Sequence, residues 1–120
     1  MLHKLVNVGD LPERSNFLVP AIVRRGELLI AISTSGQSPA LAKKIRHELE
    51  RSFGREFSDY VEILGKIRKA LIARIAQEGR RKRIFHQLVH SEILDLLRSG
   101  RFALAKRRAL EIAGLEGMQL

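Results

Sequence analysis

The chain has 120 residues, 45% of them hydrophobic and 29% charged, enough apolar material for a core and too little charge imbalance for a disordered tail. Cysteine is absent, which excludes disulfides, thiolate metal sites and a cysteine nucleophile, and no apolar run approaches the roughly 20 residues of a membrane span. Twenty-two Lys and Arg against 13 Asp and Glu give a net charge of +9, and residues 61–120 alone hold 13 basic and 6 acidic side chains, a field that attracts nucleic acid, acidic lipid or polycarboxylates.

Met1-Leu2-His3-Lys4-Leu5-Val6 has neither a long apolar stretch nor a small-residue cleavage site, so no signal peptide is expected, consistent with a cytoplasmic protein. Lys4–Val8 is a short β-compatible run, stopped by the turn residues Gly9-Asp10-Leu11-Pro12. Phe17–Val23 is a second apolar run whose internal Pro20 demotes it to an edge or bulged strand. Arg24-Arg25-Gly26-Glu27 reads as a tight connection to Leu28–Ile32, and the pair reads as a hairpin. The unbroken apolar run 28–32 predicts burial on both faces, hence a larger sheet or a partner chain.

Ser33-Thr34-Ser35-Gly36-Gln37-Ser38-Pro39 then marks a helix start, with Ser38 as N-cap and Pro39 at the first helical position. That helix is expected to reach about Ser52, with Leu41, Ile45, Leu49 and Phe53 on one face and Gly54 ending it. Helical periodicity continues to the C-terminus. A helix capped by Ser58 or Asp59 runs to Gly79, a second spans Arg80 to about Val89, a third Ser91–Arg98 and a fourth Arg101–Ala113. The tail after Gly114 is expected to fray. The fold class is therefore α+β, with N-terminal strands in a hairpin followed by an all-helical C-terminal part.

Several residues carry chemistry, and each has a plain structural reading beside it. The Ser33–Pro39 loop presents hydroxyls and backbone N–H groups at a helix N-terminus, which suits an anion; as plain structure it is a capped strand–helix turn. Asp10, at the end of the first run, is placed for acid–base work or simply forms a turn. His86 and His90 lie four apart on a helix and share a face, but the neighbouring Arg80-Arg81-Lys82-Arg83 is expected to repel a cation, so no metal site is assigned. His47, beside Lys43, Lys44 and Arg46, reads the same way. The basic runs 80–83 and Lys106-Arg107-Arg108 would grip phosphates, yet no nucleic-acid-binding motif accompanies them and few aromatics are near for stacking.

Three ordered motifs carry a family resemblance: Asn7-Val8-Gly9-Asp10, then Phe17-Leu18-Val19-Pro20-Ala21-Ile22, then Ala31-Ile32-Ser33-Thr34-Ser35-Gly36-Gln37-Ser38-Pro39-Ala40-Leu41-Ala42. Together they resemble the siroheme synthase family, the bifunctional precorrin-2 dehydrogenase/sirohydrochlorin ferrochelatases, densely over residues 4–50 and loosely beyond. That resemblance implies a division into 1–15, the remnant of a last Rossmann strand and its turn; 16–55, a central dimerisation segment; and 56–120, a C-terminal helical domain. It implies NAD-dependent oxidation of precorrin-2 to sirohydrochlorin, with ferrous iron as the chelation substrate. Asp10 would be the catalytic base; Asn7, Ser33, Thr34, Ser35, Gly36 and Ser38 would hold the tetrapyrrole, and Thr34 falls where some relatives carry a phosphorylatable serine.

The nine glycines never form the G-x-G-x-x-G turn of the family's NAD domain, so no NAD site is expected in this chain. The expected partners are a second copy of the chain, a tetrapyrrole and a separate Rossmann-domain chain. The alternatives are a non-catalytic dimerisation and tetrapyrrole-binding module of a split enzyme, or a basic helical nucleic-acid-binding protein.

Overall fold

The computed structural model describes residues 19–120, which divide between Gly54 and Arg55 into two units. In the first unit, strands β1 (Ala21–Arg25) and β2 (Leu28–Ile32) form an antiparallel hairpin with Ala21 opposite Ile32 and Arg25 opposite Leu28. Two boundaries differ from the sequence expectation. Pro20 precedes β1 instead of interrupting it, because a residue without an N–H is tolerated at a strand's margin. Arg24 and Arg25 are strand residues and only Gly26-Glu27 make the turn. Arg25 extends β1 for a reason far away in sequence: its guanidinium donates from Nε to the Phe53 carbonyl at 2.6 Å and from Nη2 to the Glu50 carbonyl at 3.1 Å.

Those two carbonyls belong to the end of helix α1 (Pro39–Ser52), which packs on one face of the hairpin. Side chains alternate across a strand, so Val23 on that face is 1% exposed. Ile22 and Leu29, on the opposite face, are 44% and 48% exposed. Among the described residues of one chain, the 28–32 run is covered on one face and exposes Leu29 on the other. The predicted cap is present: Ser38 Oγ accepts from the Leu41 amide at 3.1 Å, and Pro39 opens the helix. Of the predicted apolar stripe, Ile45 and Leu49 are half-buried while Leu41 is exposed.

The second unit is a helical bundle of α2 (Glu56–Arg74), α3 (Glu78–Val89), α4 (Ile93–Arg98) and α5 (Phe102–Ala113). Ile63, Ile67 and Leu71 project from α2 onto Leu88, Ile93 and Leu97, and Ala105, Ala109 and Ala113 give α5 a small-residue face. The Tyr60 hydroxyl donates to the Leu88 carbonyl at 3.0 Å, so its polar end is satisfied inside this core. Helix α2 starts at Glu56, before the expected caps Ser58 and Asp59. Glu56 and Asp59 then lie in its first turn, where negative charge suits the helix dipole.

Helix α2 also stops at Arg74, and Gly79 lies inside α3. The Arg81 guanidinium explains the early stop: it takes the Ile75 and Ala76 carbonyls at 2.6 and 2.9 Å, satisfying acceptors that a longer helix would have bonded itself. The tail does not fray. Gly114 adopts φ 72, the Leu115 amide returns to the Leu110 carbonyl at 2.8 Å, and Leu115 is 4% exposed against the core. Among the described residues, no helix is long and apolar enough to cross a membrane.

Candidate functional site

The loop between β2 and α1 is built from its own side chains. Thr34 to Gln37 is a tight turn closed by the Gln37 amide on the Thr34 carbonyl at 3.0 Å, with both central residues left-handed: Ser35 at φ 55 and Gly36 at φ 79. Glycine takes that conformation freely, whereas serine does so at a cost of about 1–2 kcal/mol. The strained residue is held by hydroxyl contacts on either side: the Ser35 amide donates to Ser33 Oγ at 3.1 Å, and the Ser38 amide donates to Thr34 Oγ1 at 2.9 Å.

This wiring changes what the loop has to offer an anion. The amides of residues 35, 37, 38 and 41 are committed within the loop or to its cap, so few backbone donors remain for a ligand. The hydroxyls of Ser33, Thr34 and Ser38 act as acceptors in those bonds, which leaves each O–H hydrogen to donate outward.

Sequence reasoning missed the cations beside the loop. An open groove of about 240 Å³ starts at Pro39 and is lined by Val19, Pro20, Ala21, Ala42, Lys43 and Arg46. Arg46 Nε is buried and has no hydrogen-bond partner among the described residues. A buried, unpaired guanidinium N–H is costly unless something accepts from it. Lys43 and Arg46 are three apart, one turn along the helix that Ser38 caps; that spacing was the available signal. Only the bonds of Arg25, not of Arg46, go to the end of α1.

The remaining predicted residues fall elsewhere. Asn7 and Asp10 lie outside the described residues. His47 is exposed on α1, with Nδ1 at 3.4 Å from Glu50 Oε1. Within the 80–83 run, Arg81 is spent on the Ile75 and Ala76 carbonyls just after α2, and Arg108 of the second basic run pairs with Glu92 and Glu111 at 3.0 and 3.4 Å. A backbone hydrogen bond, with Arg108 assisting, holds the Glu92 carboxyl below its ordinary range, while burial pushes Tyr60 up; both serve structure in the helical unit. Among the described residues no group of three or more metal-ligating side chains converges. Nor do they fit a dinucleotide: the hairpin is antiparallel, and the loop entering α1 carries Gly36 without the further glycines that bring a pyrophosphate close.

Comparison with known proteins finds similarity across this loop and the elements on either side of it. Residues 25–52, from the end of β1 through α1, match the family model described as "Sirohaem biosynthesis protein central". Siroheme synthase 3 of Aeromonas hydrophila is 35% identical over 88 residues, 73% of this chain and 19% of that protein. Siroheme synthase 1 of Yersinia enterocolitica is 34% identical over 104 residues, 87% of this chain and 22% of that protein. The solved structure of SirC, precorrin-2 dehydrogenase, superposes with a TM-score of 0.64 at 26% identity, covering 80% of this chain and 45% of that one. The chain thus spans about a fifth of the length of these curated relatives.

Proposed function

We infer that this chain, related to one stretch of the siroheme synthases, works in siroheme biosynthesis by holding the tetrapyrrole on which precorrin-2 dehydrogenation acts. The observation that carries the reading is the junction of a hydroxyl-lined loop with a groove containing the buried Arg46 Nε, which has no partner among the described residues. Precorrin-2 and sirohydrochlorin are polycarboxylates. The O–H groups of Ser33, Thr34 and Ser38 would donate to one carboxylate, and Arg46 with Lys43 would neutralise another beside the apolar floor of Val19, Pro20 and Ala42. A guanidinium suits a planar carboxylate better than an ammonium does, because its donors form a fork.

Oxidation of precorrin-2 to sirohydrochlorin removes a hydride and a proton. Asp10 is proposed as the base that takes the proton, and as the acceptor of pyrrole N–H protons when ferrous iron, the second substrate, is inserted. The hydride acceptor expected for the family is NAD. It has no cradle among the described residues, and none of their roles is routed through it.

The chain is further proposed to work as a homodimer in the cytoplasm. With α1 on one face of the two-stranded hairpin, the opposite face exposes Ile22 and Leu29. A second copy would cover that face, and sedimentation showing only monomer at high concentration would reject the dimer.

The test of the function is titration of the chain with sirohydrochlorin, followed by its visible absorbance. Arg46→Ala is expected to weaken binding by at least about tenfold, the cost of one charge-assisted hydrogen bond. Asp10→Asn should leave binding intact while abolishing turnover in a complete enzyme. Equal binding by the parent, Arg46→Ala and a Ser33→Ala/Thr34→Ala double variant would remove the loop and groove from the function.

A further inference from the structure

We propose that His86 and His90 form a two-ligand site for a divalent transition metal at the C-terminal end of α3, an inference independent of the tetrapyrrole reading. His86 lies in the last turn of α3 and His90 is its C-cap residue. Both are exposed, and their rings lie side by side, with centroids 4.1 Å apart and planes inclined by 32°.

The protonation pattern follows from one contact. His90 Nδ1 is 2.9 Å from the His86 carbonyl oxygen. A carbonyl can only accept, so Nδ1 carries the hydrogen and Nε2 of the neutral ring keeps its lone pair. An Nδ1–H bond to a backbone carbonyl is the arrangement that orients histidine ligands in metal sites and fixes their tautomer. One ligand is thereby set without any metal, and His86, one turn back, supplies the second.

The separation is compatible with chelation. Two imidazole nitrogens about 2.1 Å from a tetrahedral ion lie about 3.4 Å apart. The ring centroids are 4.1 Å apart, and with the His90 ring held by its Nδ1 contact, rotation of the exposed His86 side chain is the movement that would turn its nitrogen toward the same ion. Two protein ligands leave the other coordination positions to water, so the site would be open and exchangeable. Its nitrogen donors select zinc, nickel or copper over magnesium.

The sequence objection was repulsion by the 80–83 run. In the structure, Arg81 is drawn to the Ile75 and Ala76 carbonyls at the opposite end of α3, and the exposed Arg80, Lys82 and Arg83 are free to swing into solvent, where salt screens them. The histidines sit at the negative end of the helix dipole, where the last carbonyls attract a cation.

The test uses the full chain carrying His3→Ala and His47→Ala, so that His86 and His90 are the only histidines left. Calorimetric titration with zinc chloride should show one saturable site per chain, and magnesium chloride should show none. Adding His86→Ala or His90→Ala should each weaken zinc binding by at least about tenfold. Zinc should also move the histidine Nε2 resonances of the parent variant in nitrogen-15 spectra. Both rings are exposed, so the variants should keep the parent's circular dichroism. Absence of a saturable zinc site, or zinc binding unchanged by either substitution, would overturn the proposal.

Discussion

Replacing Gly36 with valine separates the loop's conformation from its mere composition. Gly36 sits at φ 79 beside Ser35 at φ 55, and the two carry the turn closed by the Gln37 amide on the Thr34 carbonyl. A β-branched side chain in that region costs about 1–2 kcal/mol in the folded state. Restricting the unfolded chain returns about 0.4–1 kcal/mol, so the net loss is on the order of 1 kcal/mol if the turn survives.

If instead the turn flips to relieve the strain, more than one bond is lost together. The Gln37 bond at 3.0 Å opens, and Thr34 Oγ1 moves away from the Ser38 amide it holds at 2.9 Å, which releases the residue that caps α1. The outward hydroxyls would then no longer converge. Losing even one charge-assisted contact to a carboxylate costs about 1.5–3 kcal/mol, or at least tenfold in affinity. The assay pairs sirohydrochlorin titration with hydrogen exchange at the Gln37 and Ser38 amides. The control is Ser35→Gly, which removes strain at the neighbouring position and should preserve both readouts. A Gly36→Val chain that binds tetrapyrrole like the parent while Gln37 and Ser38 exchange faster would refute the argument that this turn geometry holds the ligand.

Three further outcomes test the scaffold. Ser38→Ala removes the acceptor of the Leu41 amide and should cost about 0.5–2 kcal/mol, read as faster exchange through the first turn of α1. Leu71→Ala, at a side chain with 0% exposure, should destabilise the helical unit by about 2–5 kcal/mol in denaturant unfolding. Burial raises Tyr60 above the ordinary tyrosine value of 10.0, so the unfolded chain ionises first as pH rises. The stability this group contributes is complete below pH 10.0 and lost as pH climbs through its raised folded value. Tyr60→Phe should abolish this component of alkaline unfolding, while the Leu88 carbonyl keeps its bond from Ser91 Oγ at 2.7 Å. An unchanged pH dependence would assign the alkaline transition to other groups.

What the sequence by itself determined is whatever is closed by neighbours in the chain. Ser38-Pro39 specifies the start of α1 because the cap bond spans three residues, and the glycine-containing connection Arg24–Glu27 between two apolar runs specifies a hairpin, though not its two-residue turn. Gly36 was legible as a turn glycine, and the hydroxyl-rich loop as a candidate site, for the same reason. The tertiary structure decided what depends on distant partners. Arg25 became a strand residue through carbonyls 25 and 28 positions away, and α2 stopped at Arg74 because Arg81 takes the carbonyls beyond it. The tail was retained because Leu115 enters a core that periodicity alone does not reveal. In the candidate site, periodicity put Lys43 and Arg46 on a helix, but only packing buried Arg46 Nε with no partner among the described residues. A guanidinium nitrogen loses its water only when other parts of the fold close around it, and local periodicity does not report that.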